Sequence, residues 1–239
     1  MRTQDYIFDL YGTLADVHTD ESEDALWTDA AAFACACGAA YDGPALRANY
    51  LRLCEDEVRL RKATLPDVPV ERIEPELLHV FQRLLAERGA SAADAQAFAA
   101  YFRRRSTLHL RPMPHAADVL DALRRRGART FLLSNAQACF TRDELAALDL
   151  TDRFDGILLS SDAGMKKPYK GLFSLLLRRF GIPKETAVMI GNDAFADIGG
   201  AADAGLRSLY IHTWQSGERP ASLPPSCTEI PDLAAILAW

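Results

Sequence analysis

The chain carries short, continuous apolar runs, each followed closely by polar residues or glycine. Runs of this kind are typical of strands that are buried on both faces of a parallel sheet. We predict five strands, at residues 6–10, 130–133, 156–159, 187–190 and 208–211. Helical patterns fill the gaps between the later runs, at residues 116–126, 171–180 and 196–204. This alternation predicts an α/β fold with a doubly wound, Rossmann-like parallel sheet.

Residues 20–108 break this alternation, because they carry helical patterns alone. Apolar stripes predict helices at residues 44–62, at residues 75–88 and from Ser91, an N-cap, through Phe102. Leu60 and the charged Glu57 both fall on the first of these stripes. We therefore predict an inserted, all-helical cap domain at residues 20–108, over a core domain formed by residues 1–19 and 109–239. Residues 215–227, rich in proline, are predicted to be a loop.

The composition excludes some classes of partner. Of 239 residues, 49% are hydrophobic and 25% are charged, which is typical of globular proteins. The net charge of −6 disfavours nucleic acid and anionic membranes as partners, whereas local groups in a cleft could still bind a small anionic substrate. The chain lacks a long apolar run and a signal sequence, so we expect a cytoplasmic location. Five cysteines without a CxxC pair predict reduced, mostly buried thiols.

The first candidate for chemistry is Asp9, which ends the first predicted strand. A carboxylate at that point lies at the carboxyl edge of the sheet, where open α/β folds bind ligands. Gly12 permits a sharp turn that leaves backbone N–H groups facing an anion, and Thr13 adds a hydroxyl. We take both as candidate substrate-binding residues. Alone, the pattern also fits a strand-end aspartate that caps a turn.

Two further segments offer groups that bind an oxyanion. Ser134 ends a predicted strand, and its hydroxyl and the N–H of Asn135 suit an oxyanion, although Ser134 would also suit a helix N-cap. Lys166 and Lys167 precede Pro168. A cation in this segment would neutralise both a carboxylate and a transferring group, whereas the competing interpretation is a solvated surface.

The fourth segment supplies oxygen ligands. Asn192, Asp193 and Asp197 follow the fourth predicted strand. Clustered oxygens suit Mg²⁺, which takes one or two carboxylates and keeps several waters. Helix capping by Asp193 is the competing interpretation.

Together and in this order, the four segments resemble the haloacid dehalogenase superfamily of hydrolases over essentially the whole chain. That superfamily has an Asp motif on strand one, Ser or Thr on strand two, Lys before Pro, and an acidic motif after strand four. The resemblance implies a core with a helical cap of the superfamily's first type. It also implies Asp9 as the nucleophile, with Ser134 and Lys167 binding the transferred group. The metal ligands that it implies around Mg²⁺ are Asp9, Asn192, Asp193 and Asp197.

Two positions depart from the phosphatases of the superfamily. Tyr11 stands where they carry a second Asp that serves as general acid and base. A phenol with a pKa of about 10 is a poor proton donor and acceptor near neutrality. Asn192 stands where they carry the Asp of a Gly-Asp pair, so we expect Asp193 to be the charged metal ligand.

The Asp-x-Tyr-Gly-Thr segment also resembles the 2-haloacid dehalogenases, whose reaction needs neither a metal nor protonation of the leaving group. Their pattern further implies a Tyr where this chain has Phe173, and a fourth motif without the extra acidic residue. We therefore predict a magnesium-dependent phosphatase of a small phosphorylated metabolite. The alternatives are a 2-haloacid dehalogenase and a phospho-ligand-binding protein that has lost turnover.

A group of acidic residues and a histidine follows the first motif, near the expected hinge of the cap. One of them could supply the acid missing at Tyr11, although a solvated loop is the competing interpretation. The group consists of Asp16, His18, Asp20 and Glu21.

Overall fold

The computed structural model describes residues 4–239, which form eight strands and nine α-helices. The strands are β1 (Asp5–Phe8), β2 (Ala15–Thr19), β3 (Thr107–Pro112), β4 (Arg129–Ser134), β5 (Gly156–Leu159), β6 (Ala187–Gly191), β7 (Arg207–Ile211) and β8 (Cys227–Ile230). The helices are α1 (Asp24–Ala36), α2 (Gly43–Thr64), α3 (Leu77–Ala86), α4 (Ala95–Ser106), α5 (Ala116–Arg125), α6 (Ala138–Ala147), α7 (Ser160–Ala163), α8 (Lys170–Phe180) and α9 (Gly200–Asp203).

Six strands form one parallel sheet in the order β5-β4-β1-β6-β7-β8. The strand order reverses beside β1, since β4 lies on one side of it and β6 on the other. The carboxyl ends of β1, β4 and β6 therefore meet where doubly wound sheets bind ligands. This sheet, with helices around it, confirms the predicted fold class.

The central strands are largely apolar because both faces of the sheet are covered. Phe8 packs in one hydrophobic cluster with α5, whereas its neighbour Ile7 packs in a second cluster with α8. Successive side chains of a strand point to opposite faces, so a strand covered twice carries no polar alternation.

Helices α1 to α4 lie between β2 and β3 and form the cap. They share a hydrophobic cluster of their own, in which Tyr50, Phe81 and Phe102 are in mutual ring contact. Cys139 and Phe140 of α6 belong to the same cluster, so the apolar interior of the cap continues onto the core. Within residues 4–239, no helix is both long and apolar enough to cross a bilayer.

The antiparallel pair β2–β3 was not predicted from the sequence. It brackets the cap, because Ala15 pairs with Pro112 and Thr19 pairs with Thr107. The interpretation of Asp16 and His18 as a solvated loop is therefore wrong, since both lie in β2. Both strands are short, and β2 is only partly buried while β3 is mostly exposed, so they give a weak apolar pattern.

Several finer predictions also need correction. The helix predicted at residues 196–204 is a π-helical turn, Ala194–Gly199, followed by α9. On α2, Leu60 is 57% exposed while Glu57 is only 5% exposed, because Arg61 satisfies the Glu57 carboxylate. All five cysteines are free as expected, but only Cys139 is buried, and β8 begins within the expected loop.

Candidate active site

Asp9 follows β1 directly and is 6% exposed. Its backbone N–H donates to the carbonyl of Ile190 on β6, at 2.9 Å, so the sheet pairing holds the residue in position. The carboxylate lies at the carboxyl edge of the central strand. The position expected from the sequence is therefore the position in the fold.

The turn after Asp9 brings the first and fourth motifs together. Gly12 has φ +86°, and a Cβ on it would overlap the side chain of Asn192. Thr13 is buried, with its Oγ1 3.4 Å from Asp9 Oδ2 and 3.2 Å from Asn192 Oδ1. Glycine thus permits both the left-handed backbone and the close approach of Asn192 to this turn.

Lys167 supplies the cation of the site and is 3% exposed. Its Nζ donates to Asp9 Oδ1 at 2.7 Å, to Asp197 Oδ1 at 2.6 Å and to the Leu133 carbonyl at 2.8 Å. These three acceptors match the three N–H donors of an ammonium group. Burial alone would lower the pKa of Lys167, but Asp197 and Asp9 outweigh it and raise that pKa.

Asn135 aligns the lysine segment. Its Oδ1 accepts from the backbone N–H of Lys167 at 2.7 Å, and its Nδ2 donates to the Lys167 carbonyl at 3.1 Å. Both hydrogen-bonding groups of the amide are thereby used to join the loop after β4 to the loop before α8. The neighbouring Lys166 donates its backbone N–H to the Arg72 carbonyl of the cap.

Ser134 ends β4 and its Oγ donates to Asp9 Oδ1 at 3.2 Å. It does not cap the next helix, because α6 has its N-cap at Gln137. The Gln137 side chain binds the cap instead, accepting from the N–H of Leu77 and donating to Glu74 and the Pro75 carbonyl. The Ser134 loop is thus fixed by Asp9 at one end and by the cap at the other.

The residues of the fourth motif have three different environments. Asp193 is exposed and its Oδ1 accepts from the N–H groups of Phe195 and Ala196, which is the helix-capping arrangement. Asp197 is buried, and its Oδ2 accepts from the N–H of Asp193 at 3.0 Å. Burial raises the pKa of Asp197 to about 7, although Lys167 acts against this shift. Asn192 is the member whose side-chain oxygen lies beside the Thr13 hydroxyl.

Tyr11 has its hydroxyl engaged away from Asp9. It donates to Glu144 in a short hydrogen bond and lies 2.9 Å from Thr141 Oγ1. Arg103 of the cap helix α4 pairs with the same Glu144 at 2.6 Å and lies over the Tyr11 ring. Burial and the Glu144 carboxylate raise the pKa of Tyr11, so the phenol is a still weaker acid than in water.

The acidic residues near the cap hinge lie in different environments. Asp16 is buried and pairs with Arg111 at 2.6 Å and with His109 at 3.1 Å. Hydrogen bonds from Ser22 lower the pKa of Asp20. Burial raises the pKa of Glu21, an effect that Arg103 partly offsets.

A cavity of about 180 Å³ opens beside Asp9 and is lined by every predicted site residue except Gly12 and Thr13, which lie behind Asp9 and Asn192. Three residues of the loop after β7 also line it and were not singled out from the sequence: Gln215, Ser216 and Gly217. No sequence pattern marks them, because they lie in a polar and proline-rich segment. Only the sheet order, which sets β7 beside β6, brings them to the site.

The oxygen donors of the cavity are few in number. Across residues 4–239, no cluster of three or more His, Cys, Asp or Glu side chains forms a ready metal site. Both Asp197 oxygens are engaged, by Lys167 and by the N–H of Asp193. Asp9 Oδ2 and Asn192 Oδ1, which both lie beside Thr13, are two of the oxygens that remain available to a cation.

The family model of haloacid dehalogenase-like hydrolases matches residues 6–205. This chain therefore belongs to the haloacid dehalogenase-like hydrolases, as its four motifs predicted. A 2-haloacid dehalogenase structure from Pseudomonas syringae superposes with a TM-score of 0.62 at 21% identity, covering 99% of this chain and 97% of that one. That similarity extends to the whole fold, including the cap.

Relatives in the family differ in their reactions. The phosphoserine phosphatase of Thermus thermophilus is 34% identical over 146 residues, which are 61% of this chain and 58% of that protein. The glyceraldehyde 3-phosphate phosphatase of Pyrococcus furiosus is 26% identical over 54% of this chain and 55% of its own. The chain thus spans little more than half the length of these phosphatases. The (S)-2-haloacid dehalogenase of Pseudomonas putida is 25% identical over 87% of this chain and 84% of its own.

Proposed function

We propose that this protein is a magnesium-dependent phosphohydrolase that acts on a small phosphorylated metabolite. The observation that carries the proposal is the polar cavity beside Asp9. Lys167 and Ser134 hold one oxygen of the Asp9 carboxylate, while the other oxygen lies near Thr13. Hydroxyl and amide side chains line the rest of the cavity, so its walls are polar, as suits the oxygens of a phosphoryl group.

Asp9 is the nucleophile in this proposal. Its carboxylate attacks phosphorus, the ester P–O bond breaks, and the alcohol leaves with a proton from solvent or from a protein acid. Water then attacks the phosphorus of the aspartyl-phosphate, and cleavage of its P–O bond restores Asp9 and releases phosphate. Two such steps replace one difficult displacement. Lys167 keeps positive charge beside the reacting carboxylate throughout.

Asp9 and Asn192 would hold the magnesium ion, because an oxygen of each side chain lies beside Thr13. One carboxylate and one neutral amide oxygen form a weak set of ligands by themselves. Mg²⁺ commonly binds through one or two carboxylates together with substrate phosphate, so this set fits an ion that arrives with its substrate. When bound, the ion would shield the negative charge between Asp9 and the phosphoryl group.

The leaving group has no proton donor at residue 11. The Tyr11 hydroxyl already donates to Glu144, and its pKa is raised. Neither Asp20 nor Glu21 of the hinge lines the cavity beside Asp9. We therefore expect activated esters to react faster than alkyl phosphates.

Hydrolytic dehalogenation through an ester at Asp9 is the second candidate. Tyr11 and the similarity to the (S)-2-haloacid dehalogenase over 221 residues favour it. Halide leaves without protonation, so this reaction would need no acid at residue 11. Phe173 argues against dehalogenation, because the dehalogenase pattern has a Tyr at this position. The Phe173 side chain carries no hydroxyl and is fully buried beside Gly200.

One screen separates these proposals from a binding protein without turnover. Purified protein is assayed with p-nitrophenyl phosphate, with a panel of phosphorylated metabolites and with 2-chloropropionate, each in Mg²⁺ and in EDTA. The phosphatase proposal requires phosphate release that depends on Mg²⁺ and disappears in Asp9→Asn, with Lys166→Ala as the matched control. Chloride release that persists in EDTA would instead establish the dehalogenase. Binding of phosphorylated ligands without any turnover would leave the third candidate.

A further inference from the structure

The loop between β7 and β8 is joined to both halves of the active site. Thr213 Oγ1 donates to the Gly12 carbonyl at 3.0 Å, in the turn after Asp9. Ser216 Oγ donates to the Asn192 carbonyl at 2.8 Å and accepts from the N–H of Thr213 at 3.0 Å. Residues 213–217 are therefore anchored to the first and fourth motifs, and Gln215 lies between the two anchors.

The orientation of the Gln215 amide is set by the protein. Its Nε2 donates to the Val17 carbonyl on β2 in a short hydrogen bond. A carbonyl can only accept, so Nε2 must face Val17 and Oε1 must point elsewhere. Gln215 lines the cavity that contains Asp9.

Gln215 Oε1 is buried and has no hydrogen-bond partner within residues 4–239. Buried polar atoms are nearly always hydrogen-bonded, so an unpartnered acceptor on a residue that lines a cavity indicates a donor that comes from outside the chain. Only two other side-chain polar atoms among the described residues share this property, Arg83 Nη1 and Ser208 Oγ, and neither residue lines this cavity.

We propose that Gln215 is a substrate-recognition residue whose Oε1 accepts a hydrogen bond from a hydroxyl or amino group on the substrate. The proposal rests on the proposed phosphatase function, which accounts for the phosphate group of the substrate. It adds which chemical group the rest of the substrate carries. A neutral acceptor favours O–H and N–H donors and disfavours carboxylate or phosphoryl oxygens. The substrate class is therefore a phosphate ester that carries a hydroxyl or amino group close to the ester carbon.

The test compares matched substrates in matched variants. Glycerol 1-phosphate and phosphoethanolamine carry donors, whereas propyl phosphate has a similar length and none. Gln215→Met removes the acceptor at nearly constant size, and Gln82→Met on α3, outside the cavity, is the control. We expect Gln215→Met to lower kcat/KM about 10- to 100-fold for the donor-bearing esters and less than about 3-fold for propyl phosphate. Equal losses on all three esters, or no preference in the wild type, would overturn the proposal.

A second variant covers the case in which Gln215→Met does not fold. Gln215→Glu keeps an acceptor and adds negative charge while it gives up the hydrogen bond to the Val17 carbonyl, so it should shift selectivity from glycerol 1-phosphate towards the ammonium of phosphoethanolamine by roughly 10-fold. An unchanged ratio in a folded variant would contradict a contact with the substrate.

Failure of the phosphatase proposal can be recognised separately. If the wild type releases chloride and no phosphate, the same variants are compared on 2-chloro-3-hydroxypropionate and 2-chloropropionate. If it turns over neither class, calorimetric binding of glycerol 1-phosphate and propyl phosphate replaces the rate measurements. In either setting, loss of the preference for the donor in Gln215→Met supports the proposal, and its persistence, or the absence of any binding, overturns it.

Discussion

Lys167 Nζ lies 2.6 Å from Asp197 Oδ1, and the same ammonium group lies 2.7 Å from Asp9 Oδ1. One buried cation thus stands between two buried carboxylates. Burying a charge is costly unless it is paired, so each of these three groups depends on the others. The arrangement places a positive charge against the Asp9 carboxylate inside the protein and gives that carboxylate a fixed orientation.

Replacing Lys167 by methionine should abolish hydrolysis and destabilise the protein. The substitution leaves Asp9 and Asp197 buried without their cation, and breaking a buried pair in this way typically costs about 3–5 kcal/mol. Urea unfolding and phosphate release measure the two effects. Lys166→Met, at the neighbouring lysine, should change neither by much. A Lys167→Met variant with wild-type turnover would remove this residue from the proposed mechanism.

Asp9→Asn should abolish hydrolysis while leaving the fold intact. The asparagine Oδ1 can still accept from Lys167 and Ser134, as Asp9 Oδ1 does now. An amide oxygen is not a carboxylate nucleophile, so the covalent step is lost. Circular dichroism and thermal unfolding verify the fold, and phosphate and chloride release report turnover. Full turnover of any substrate by the variant would exclude Asp9 as the nucleophile.

Tyr11→Asp should raise turnover of alkyl phosphates by roughly 10-fold or more, since general acid–base help is worth about 10²–10⁴-fold. Aryl phosphates should change much less, because their leaving group needs little protonation. Tyr11→Phe is the control, and it should accelerate neither class. In a dehalogenase the same Asp would instead repel the substrate carboxylate and lower the rate. An unchanged rate for both substrate classes would show that residue 11 takes no part in the chemistry.

Asn192→Asp should strengthen Mg²⁺ binding about 10-fold or more, because it adds a second carboxylate beside Thr13, whose hydroxyl also contacts Asp9 Oδ2. Calorimetric titration with Mg²⁺ in the presence of inorganic phosphate measures the change. Asp193→Asn is the informative control, since asparagine caps helices about as well as aspartate. If Asp193→Asn weakens metal binding strongly and Asn192→Asp has no effect, Asp193 is the metal ligand.

Asp197 should make the stability of the metal-free protein depend on pH. Its pKa in the fold is about 7, against about 3.9 for an unfolded aspartate. Between these values the folded protein holds a proton that the unfolded chain releases. The contribution of Asp197 to the free energy of unfolding is therefore fully present below pH ~4 and is lost as the pH rises through ~7. Urea unfolding at pH 5 and pH 8 should show this loss, and Asp197→Asn should reduce it. The same pH dependence in the variant would contradict the assignment.

Continuous apolar runs predicted five of the six sheet strands, because strands covered on both faces need no polar alternation. The sixth strand, β8, lies at the edge of the sheet beside β7 and carries Thr228 and Glu229, which are exposed. Its pattern therefore could not be separated from the loop before it. The cap helix α1 was not predicted either, because its alanines give only a weak apolar stripe.

The residues of the active site likewise fall into those that the sequence predicted and those that it did not. Asp9, Ser134 and Lys167 lie in motifs whose order and position after strands could be recognised, and the fold brings all three together. Gln215 could not be found, because its contribution depends on which strand lies beside β6 and on the carbonyl that fixes its amide. Tyr11 could be recognised as a departure from the phosphatases, but its hydrogen bond to Glu144 arises only when α6 packs against the turn after β1.

The ladder between β2 and β3 makes the cap an enlarged hairpin loop. Thr19 and Thr107 face each other at its end, so the chain leaves the core and returns at adjacent points. A loop closed in this way can lengthen at small entropic cost, and its length does not alter the register of the parallel sheet. Evolution could therefore exchange one cap for another at these two threonines, changing what reaches Asp9 while the nucleophile and its lysine stay in place.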